Sequence, residues 1–131
     1  MTTSRLDRLI LSTLAAVLLA GCGGAPSPTG SVECVEPVDG VLTITAADRR
    51  FDVVCMALPA GEAVTIRLVN EDLEPHNVAL YTDSSTGTEL FMGELIDGGE
   101  TVDYEIEPLE AGTHYFDCTV HPDMNGSVIA Q

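Results

Sequence analysis

The chain contains no lysine, and its basic residues number only five against 21 acidic ones. The formal net charge is therefore −16. A surface of this charge repels nucleic-acid backbones and anionic lipid head groups, so neither is an expected partner. The acidity favours basic protein partners, but solubility or a high-salt habitat would select the same composition.

Helical periodicity is almost absent as well, and no internal repeat occurs. Short runs rich in β-branched and aromatic residues are separated by turn residues, and the run at 63–69 alternates, with Val64, Ile66 and Leu68 on one face. The runs lie at 41–45, 51–56, 63–69, 77–81, 89–92, 101–106, 113–118 and 127–130. About eight short strands in ~100 residues predict an all-β fold, namely an antiparallel β-sandwich.

An apolar run near the N-terminus predicts export. It follows Arg5 and Arg8, carries no charge and is shorter than the ~20 residues of a membrane span, which is typical of a signal peptide. It ends in Leu19-Ala20-Gly21-Cys22, which resembles the lipobox of bacterial and archaeal lipoproteins. That resemblance implies cleavage before Cys22, a lipid on its sulfur and retention outside a membrane. An ordinary cleaved signal with a chance cysteine is the alternative.

Three segments follow from this pattern. Residues 1–21 are the predicted signal peptide. Residues 22–32, rich in Gly, Pro and Ser, are a predicted flexible tether. Residues 33–131 remain as one domain, which is long enough to bury a core.

Cys34 and Cys55 are used neither by the anchor nor by the metal-ligand motif described next. In a compartment that permits disulfides they would close a loop of ~20 residues, which is worth ~3 kcal/mol by chain entropy. No histidine or further cysteine lies near them in sequence. A disulfide is therefore favoured over two free buried thiols or a second metal site.

One segment carries a thiolate, an imidazole and a thioether on a short loop: Cys118-Thr119-Val120-His121-Pro122-Asp123-Met124. Two imidazoles, a thiolate and a weak axial methionine define blue-copper sites, so a second histidine must come from elsewhere. His76, which follows Pro75 at the mouth of a strand, is the best candidate. Structural zinc would need four strong donors, and a binuclear copper centre would need a second cysteine in the loop. No arrangement for nucleophilic catalysis is visible.

Two motifs resemble those of the plastocyanin/azurin family of cupredoxins. They are Pro75-His76-Asn77-Val78-Ala79-Leu80-Tyr81 and Tyr115-Phe116-Asp117-Cys118-Thr119-Val120-His121-Pro122-Asp123-Met124-Asn125-Gly126. They come in the family's order, and the ligand spacing is the short form found in amicyanin. The resemblance implies a Greek-key β-sandwich that holds one copper ion. His76, Cys118 and His121 would form a trigonal plane, with Met124 as the axial contact. It also implies that His114, where the family has an aromatic residue, belongs to the core or rim.

Four residues around the ligands are assigned roles. The family resemblance implies that Asn77 ties the ligand segments together, with Thr119 as its partner, and that the Asn77 backbone N–H reaches the cysteine sulfur. Val120 stands where amicyanin and plastocyanin have proline, so its N–H is expected to reach the Cys118 sulfur and raise the reduction potential. Asp123 replaces a more apolar residue, and its carboxylate is expected to lower the potential.

The function implied is outer-sphere transfer of one electron, not catalysis. The expected protein is a monomer, lipid-anchored outside the cell membrane, that shuttles electrons between extracytoplasmic redox partners such as a basic c-type cytochrome or an oxidase. A copper chaperone or storage protein that delivers copper to a membrane oxidase is the alternative. A small copper enzyme is disfavoured because protein donors fill all expected coordination positions.

Overall fold

The computed structural model describes residues 32–131. The predicted signal peptide, the lipidation site Cys22 and nearly all of the predicted tether lie outside the described residues. Residues 32–131 contain no helix long and apolar enough to cross a membrane.

Two sheets of β-strands enclose one core. The strands are β1 (Val41–Ala47), β2 (Arg50–Phe51), β3 (Cys55–Leu58), β4 (Val64–Asn70), β5 (Ala79–Tyr81), β6 (Glu89–Met92), β7 (Thr101–Ile106), β8 (Gly112–Cys118) and β9 (His121–Ala130). The first sheet has the order β2-β1-β4-β7 and the second has the order β3-β9-β8-β5-β6. The predicted all-β sandwich is confirmed.

The core forms because each sheet turns one apolar face inward. In β4, Val64, Ile66 and Leu68 are buried, whereas Arg67 between them is exposed. The second sheet supplies Phe116, which is fully buried and whose ring centroid lies 5.8 Å from that of Phe51. Burial of such side chains on both inner faces holds the sheets together.

The strand pairing differs from a purely antiparallel arrangement. β1 pairs with β4, and β3 with β9, in parallel, while the other pairs are antiparallel. The single strand predicted at 51–56 is divided between two strands, β2 and β3. Phe51 ends the pairing with β1, and the chain then crosses to the other sheet, where Cys55 pairs with Ser127.

Cys34 and Cys55 form the predicted disulfide, with Cα atoms 4.5 Å apart and a sequence separation of 21. It joins the N-terminal segment to β3. Two backbone hydrogen bonds run beside it, from Val35 N–H to the Cys55 carbonyl and from Ala57 N–H to the Val35 carbonyl, each at 2.9 Å. The segment before β1 is therefore held to the second sheet.

We expect the double replacement of Cys34 and Cys55 by alanine to lower the free energy of unfolding by ~3 kcal/mol, because the unfolded chain regains the entropy of the open loop. Urea unfolding at equilibrium measures this change. Reduction of the wild-type protein should produce a similar loss, while the alanine variant should not respond to reductant. Equal stability of variant and wild type would contradict the prediction.

Candidate metal centre

Cys118 and His121 lie beside each other because a turn of only two residues, Thr119 and Val120, joins β8 to β9. Cys118 is paired with His121 across this turn. Cys118 is fully buried, whereas the His121 side chain is 12% exposed. The turn therefore brings a thiol and an imidazole together at the end of the sandwich.

A bulge in β9 returns Met124 to the core. The next register pair after the turn joins Asp117 to Asn125, so residues 122–124 have no partner on β8. Met124 is 2% exposed and belongs to the same buried cluster as Cys118. Pro122 is tolerated within the strand because an unpaired position needs no backbone donor.

His76 is held in place through its backbone and through the loop before it. Its N–H donates to the Ile96 carbonyl at 3.1 Å, and the Ile96 N–H donates to the His76 carbonyl at 2.9 Å. The buried Asn70 amide donates to the carbonyls of Glu74 and Ile96, at 2.8 and 3.1 Å. His76 is fully buried. It therefore has a fixed position on the core side of the site.

Asp72 determines which nitrogen of His76 faces the site. Its Oδ2 lies 3.0 Å from His76 Nε2. An ionised carboxylate only accepts hydrogen bonds, so Nε2 carries the proton and Nδ1 keeps its lone pair for a metal. Asp72 stays ionised because a hydrogen bond from the Arg49 N–H, and then one from His76, hold the pKa of its carboxyl below the ordinary value.

Three donor atoms converge on one point. Nδ1 of His76 and Nδ1 of His121 lie 3.6 and 3.8 Å from Cys118 Sγ, and the two nitrogens are 3.1 Å apart. Bonds of about 2.0 Å to imidazole and about 2.3 Å to thiolate, as at zinc sites, would let one ion bind all three. With the buried Met124 thioether, the set is two imidazoles, a thiolate and a thioether. That set suits type 1 copper and not structural zinc.

Asn77 links the two segments that carry the donors. Its Oδ1 accepts hydrogen bonds from the N–H and the hydroxyl of Thr119, both at 3.0 Å. Its Nδ2 donates to the Gly93 carbonyl at 2.9 Å. The Asn77 side chain is buried, and so is its bond to Gly93, whereas the two bonds from the exposed Thr119 are partly buried. The structure thus brings Asn77 and Thr119 together.

The hydrogen bonds expected at the Cys118 sulfur are not found among residues 32–131. In the described part of the chain, neither the Asn77 N–H nor the Val120 N–H donates to Cys118 Sγ, whose polar contacts are the two histidines. Val120 lies in the turn and is 45% exposed. Asp123 is exposed between Pro122 and Met124. The structure therefore gives no support to a sulfur contact from Val120, and the effect of Asp123 stays a prediction from charge alone.

His114 lies apart from the three donors. It is paired with Val128 within the second sheet, and its Nε2 lies 2.8 Å from the Glu110 carbonyl. The cluster of potential metal donors within residues 32–131 consists of His76, Cys118 and His121. His114 is half-buried, at the rim.

Two carboxylates that contact the histidines were not identified from the sequence. One is Asp72. The other is Glu74, whose Oε2 lies 3.0 Å from His121 Nε2 and 3.1 Å from Nε of Arg49. Asp72 could have been identified from the sequence, because it is an acidic residue only four positions before His76. The contacts of Glu74 join three separate segments and had no local signal.

A further carboxylate, that of Asp117, is buried directly before Cys118. Its Oδ1 has no hydrogen-bond partner in residues 32–131, and burial raises the pKa of the group. Tyr81 and Tyr115 lie close by: burial raises the pKa of each phenol, and the Asp117 charge raises it further. The protein therefore buries a carboxyl group next to its cysteine donor without hydrogen bonds to both of its oxygens.

The fold and the donor set together define a β-sandwich with a type 1 copper site. A family model for the cupredoxin-like domain matches residues 12–130, and the chain belongs to that family. Amicyanin from Paracoccus denitrificans is 28% identical over 130 residues, which cover 93% of this chain and 95% of that protein. Amicyanin-alpha from Methylorubrum extorquens is 30% identical and covers 89% of this chain and 95% of its own length.

Solved structures agree with this assignment. Amicyanin from Paracoccus versutus is 33% identical, with a TM-score of 0.54, over 72% of this chain and 84% of that one. Auracyanin A from Chloroflexus aurantiacus, described as a blue copper protein, has a TM-score of 0.62 over 70% of this chain and 98% of that one. At 21% identity, the second match supports the fold alone.

We expect Asn77→Ala to lower the free energy of unfolding of the metal-free protein by about 1–3 kcal/mol, because it leaves the buried Gly93 carbonyl without a partner and removes both bonds to Thr119. Chemical unfolding measures this loss. Asn125→Ala is the matched control, since it removes one exposed hydrogen bond, to the Pro122 carbonyl. If the two variants lose the same stability, Asn77 does not have the linking role.

Proposed function

We propose that the protein is a one-electron carrier with a single type 1 copper ion. His76, Cys118 and His121 would hold the ion, and Met124 would supply a further, weaker donor. The observation that carries this proposal is the convergence of two imidazole nitrogens and one cysteine sulfur within 4.8 Å of one another. Copper bound there supplies the Cu(II)/Cu(I) couple, which this mixture of soft and borderline donors accommodates.

The rigidity of the site favours a carrier. His76, Cys118 and Met124 are buried in the core, and the segments beside them are hydrogen-bonded to each other through Asn77. Ligands that cannot move much change little between oxidation states, and electron transfer is then fast. Protein side chains supply every coordination position, so the site offers no place for a substrate. We therefore do not propose an enzymatic activity.

Electrons enter and leave through His121. Its side chain is 12% exposed, whereas His76 is completely buried. The imidazole of His121 is thus the part of the donor set nearest to a docked partner, which gives the shortest path for electron transfer. The exposed Leu73 and Val120 lie in the segments that carry the two histidines and provide apolar contact area.

The redox partner is a protein of opposite charge, such as a basic c-type cytochrome or an oxidase with a basic face. Only three arginines occur in residues 32–131. Arg49 and Arg67 are in ion pairs with Glu74 and Asp103. The acidic surface therefore has few positive charges to repel a cationic partner. The carrier acts as a monomer.

We expect the rate of electron transfer to a basic c-type cytochrome to fall steeply as ionic strength rises, because salt screens the attraction that brings the two proteins together. Stopped-flow measurements between 0.01 and 0.5 M salt, chosen to span Debye lengths from ~30 Å to a few Å, provide the test. An acidic cytochrome is the control. A rate to the basic cytochrome that does not depend on salt would contradict the charge of the proposed partner.

The location is extracytoplasmic. We propose that residues 1–21 are removed, that Cys22 carries a lipid and that residues 22–32 tether the domain to the membrane. The order of basic, apolar and small residues before Cys22 supports this proposal. The disulfide between Cys34 and Cys55 is in accord with an oxidising compartment. Mass spectrometry of the mature N-terminus distinguishes a lipidated Cys22 from an ordinary cleaved end.

Copper delivery or storage is the second candidate function. A protein that hands copper on needs an exposed site that releases the metal readily. The buried Cys118 and Met124 oppose such release, whereas the partial exposure of His121 would permit it. The burial of most donors favours the carrier.

We expect one equivalent of Cu(II) to give the purified protein an intense blue colour and a narrow copper hyperfine splitting, because the metal binds a thiolate in a trigonal site. Electrochemistry should show a reversible one-electron couple. Cys118→Ser is the control, and it should abolish the blue colour. Colourless binding, or complete loss of copper to a weak chelator within seconds, would contradict the carrier and favour copper delivery.

A further inference from the structure

The turn between β1 and β2 has an unusual backbone. Ala47 pairs with Arg50 across a loop of two residues, Asp48 and Arg49, whose φ angles are +53° and +55°. Two positive φ angles in a two-residue hairpin loop define a type I′ turn, where asparagine and glycine are the preferred residues. Arginine is disfavoured in this conformation, so its presence at this position calls for an explanation beyond folding.

Arg49 contacts both carboxylates that lie against the histidines. Its backbone N–H donates to Asp72 Oδ2 at 2.7 Å, and the same oxygen lies 3.0 Å from His76 Nε2. Its guanidinium Nε lies 3.1 Å from Glu74 Oε2, which is 3.0 Å from His121 Nε2. One residue of the β1–β2 turn is therefore connected, through one carboxylate each, to the outer nitrogens of both histidines.

We propose that Arg49 and Glu74 are positioning residues for the copper centre, and that the β1–β2 turn supports both histidine ligands from outside. The proposal rests on the copper site proposed above. Glu74 holds the outer nitrogen of His121 so that Nδ1 faces the metal, and Arg49 holds Glu74. Asp72 holds the outer nitrogen of His76 in the same way, and the hydrogen bond from the Arg49 N–H holds Asp72.

Because these side chains are exposed, their effect on the copper site can be distinguished from their effect on the stability of the fold. The Arg49 and Glu74 side chains are 63% and 49% exposed, and an exposed ion pair contributes little to folding. Carboxylates that orient a metal-bound imidazole matter more, since their removal typically costs about 10–100-fold in metal affinity or activity. The pair should therefore affect copper binding far more than it affects unfolding.

Arg49→Gly tests the proposal without weakening the fold. Glycine accepts a positive φ, and the backbone N–H to Asp72 is kept, so only the guanidinium contact to Glu74 is lost. We expect unchanged or greater resistance to urea, together with a roughly 10-fold faster release of copper to a chelator. Glu74→Ala should behave in the same way, and the double variant should be no worse than Glu74→Ala alone. Arg50→Gln is the matched control, because it removes the same charge one residue away, where no ion pair is described.

Nitrogen NMR of the histidine rings gives a readout that needs no copper. In the metal-free wild-type protein His121 should carry its proton on Nε2, and Glu74→Ala should produce a mixture of tautomers, with His76 unchanged. The proposal is overturned if the His121 tautomer and the copper release rate of Glu74→Ala and Arg49→Gly match those of wild type. Failure of the wild-type protein to form a blue site would instead reject the copper carrier, whatever the variants do.

Discussion

Two hydrogen bonds from Thr119 to the Asn77 side chain join the halves of the donor set, and the geometry of the site depends on them. His76 and Cys118 are 42 residues apart in sequence. The antiparallel pairing of β5 with β8 brings their strands together, since Ala79 is opposite Asp117. The pairing of β5 with β8 ends before it reaches His76 or Cys118. Asn77 continues the connection beyond the last strand pair, where the backbone ladder no longer determines the distance between the two segments.

Local sequence was sufficient for some of these features. Cys118, His121 and Met124 stand out because three different donor atoms occur within seven residues. The choice of His76 over His114 required a family resemblance, since both histidines lie in runs predicted as strands or at their ends. The alternation in 63–69 predicted the buried face of β4 correctly, because that strand has one face in the core and one in solvent.

Other features depend on contacts between distant residues and left no trace in local sequence. The parallel pairing of β1 with β4 is set by the crossing of the chain between sheets, which periodicity does not record. The start of β9 at His121 was missed because Pro122 normally ends a strand, and only the bulge makes it acceptable. The contacts between Arg49, Glu74 and His121 likewise appear only after the fold has brought three loops together.

Negative charge surrounds the site at several depths. Asp72 is half-buried beside His76, Glu74 is exposed beside His121, and Asp117 is buried next to Cys118. Because Cu(II) carries one more positive charge than Cu(I), each of these carboxylates would favour the oxidised ion when it is ionised, and burial makes Asp117 the hardest of them to ionise. The acidic composition that first suggested a cationic partner would thus also lower the reduction potential of a bound copper ion.

The disulfide has a mechanical consequence that arises from its place in the second sheet. Cys55 is paired with Ser127 in β9, the same strand that begins at His121 and carries Met124. A pulling force on the chain before Cys34 would pass through the covalent bond into β3 and then, as shear along the parallel hydrogen bonds, into β9. Shear loads many hydrogen bonds at once, so the sheet resists it well. When the domain is pulled at Cys34, the load on the second sheet would therefore be shared, and the metal donors would keep their positions.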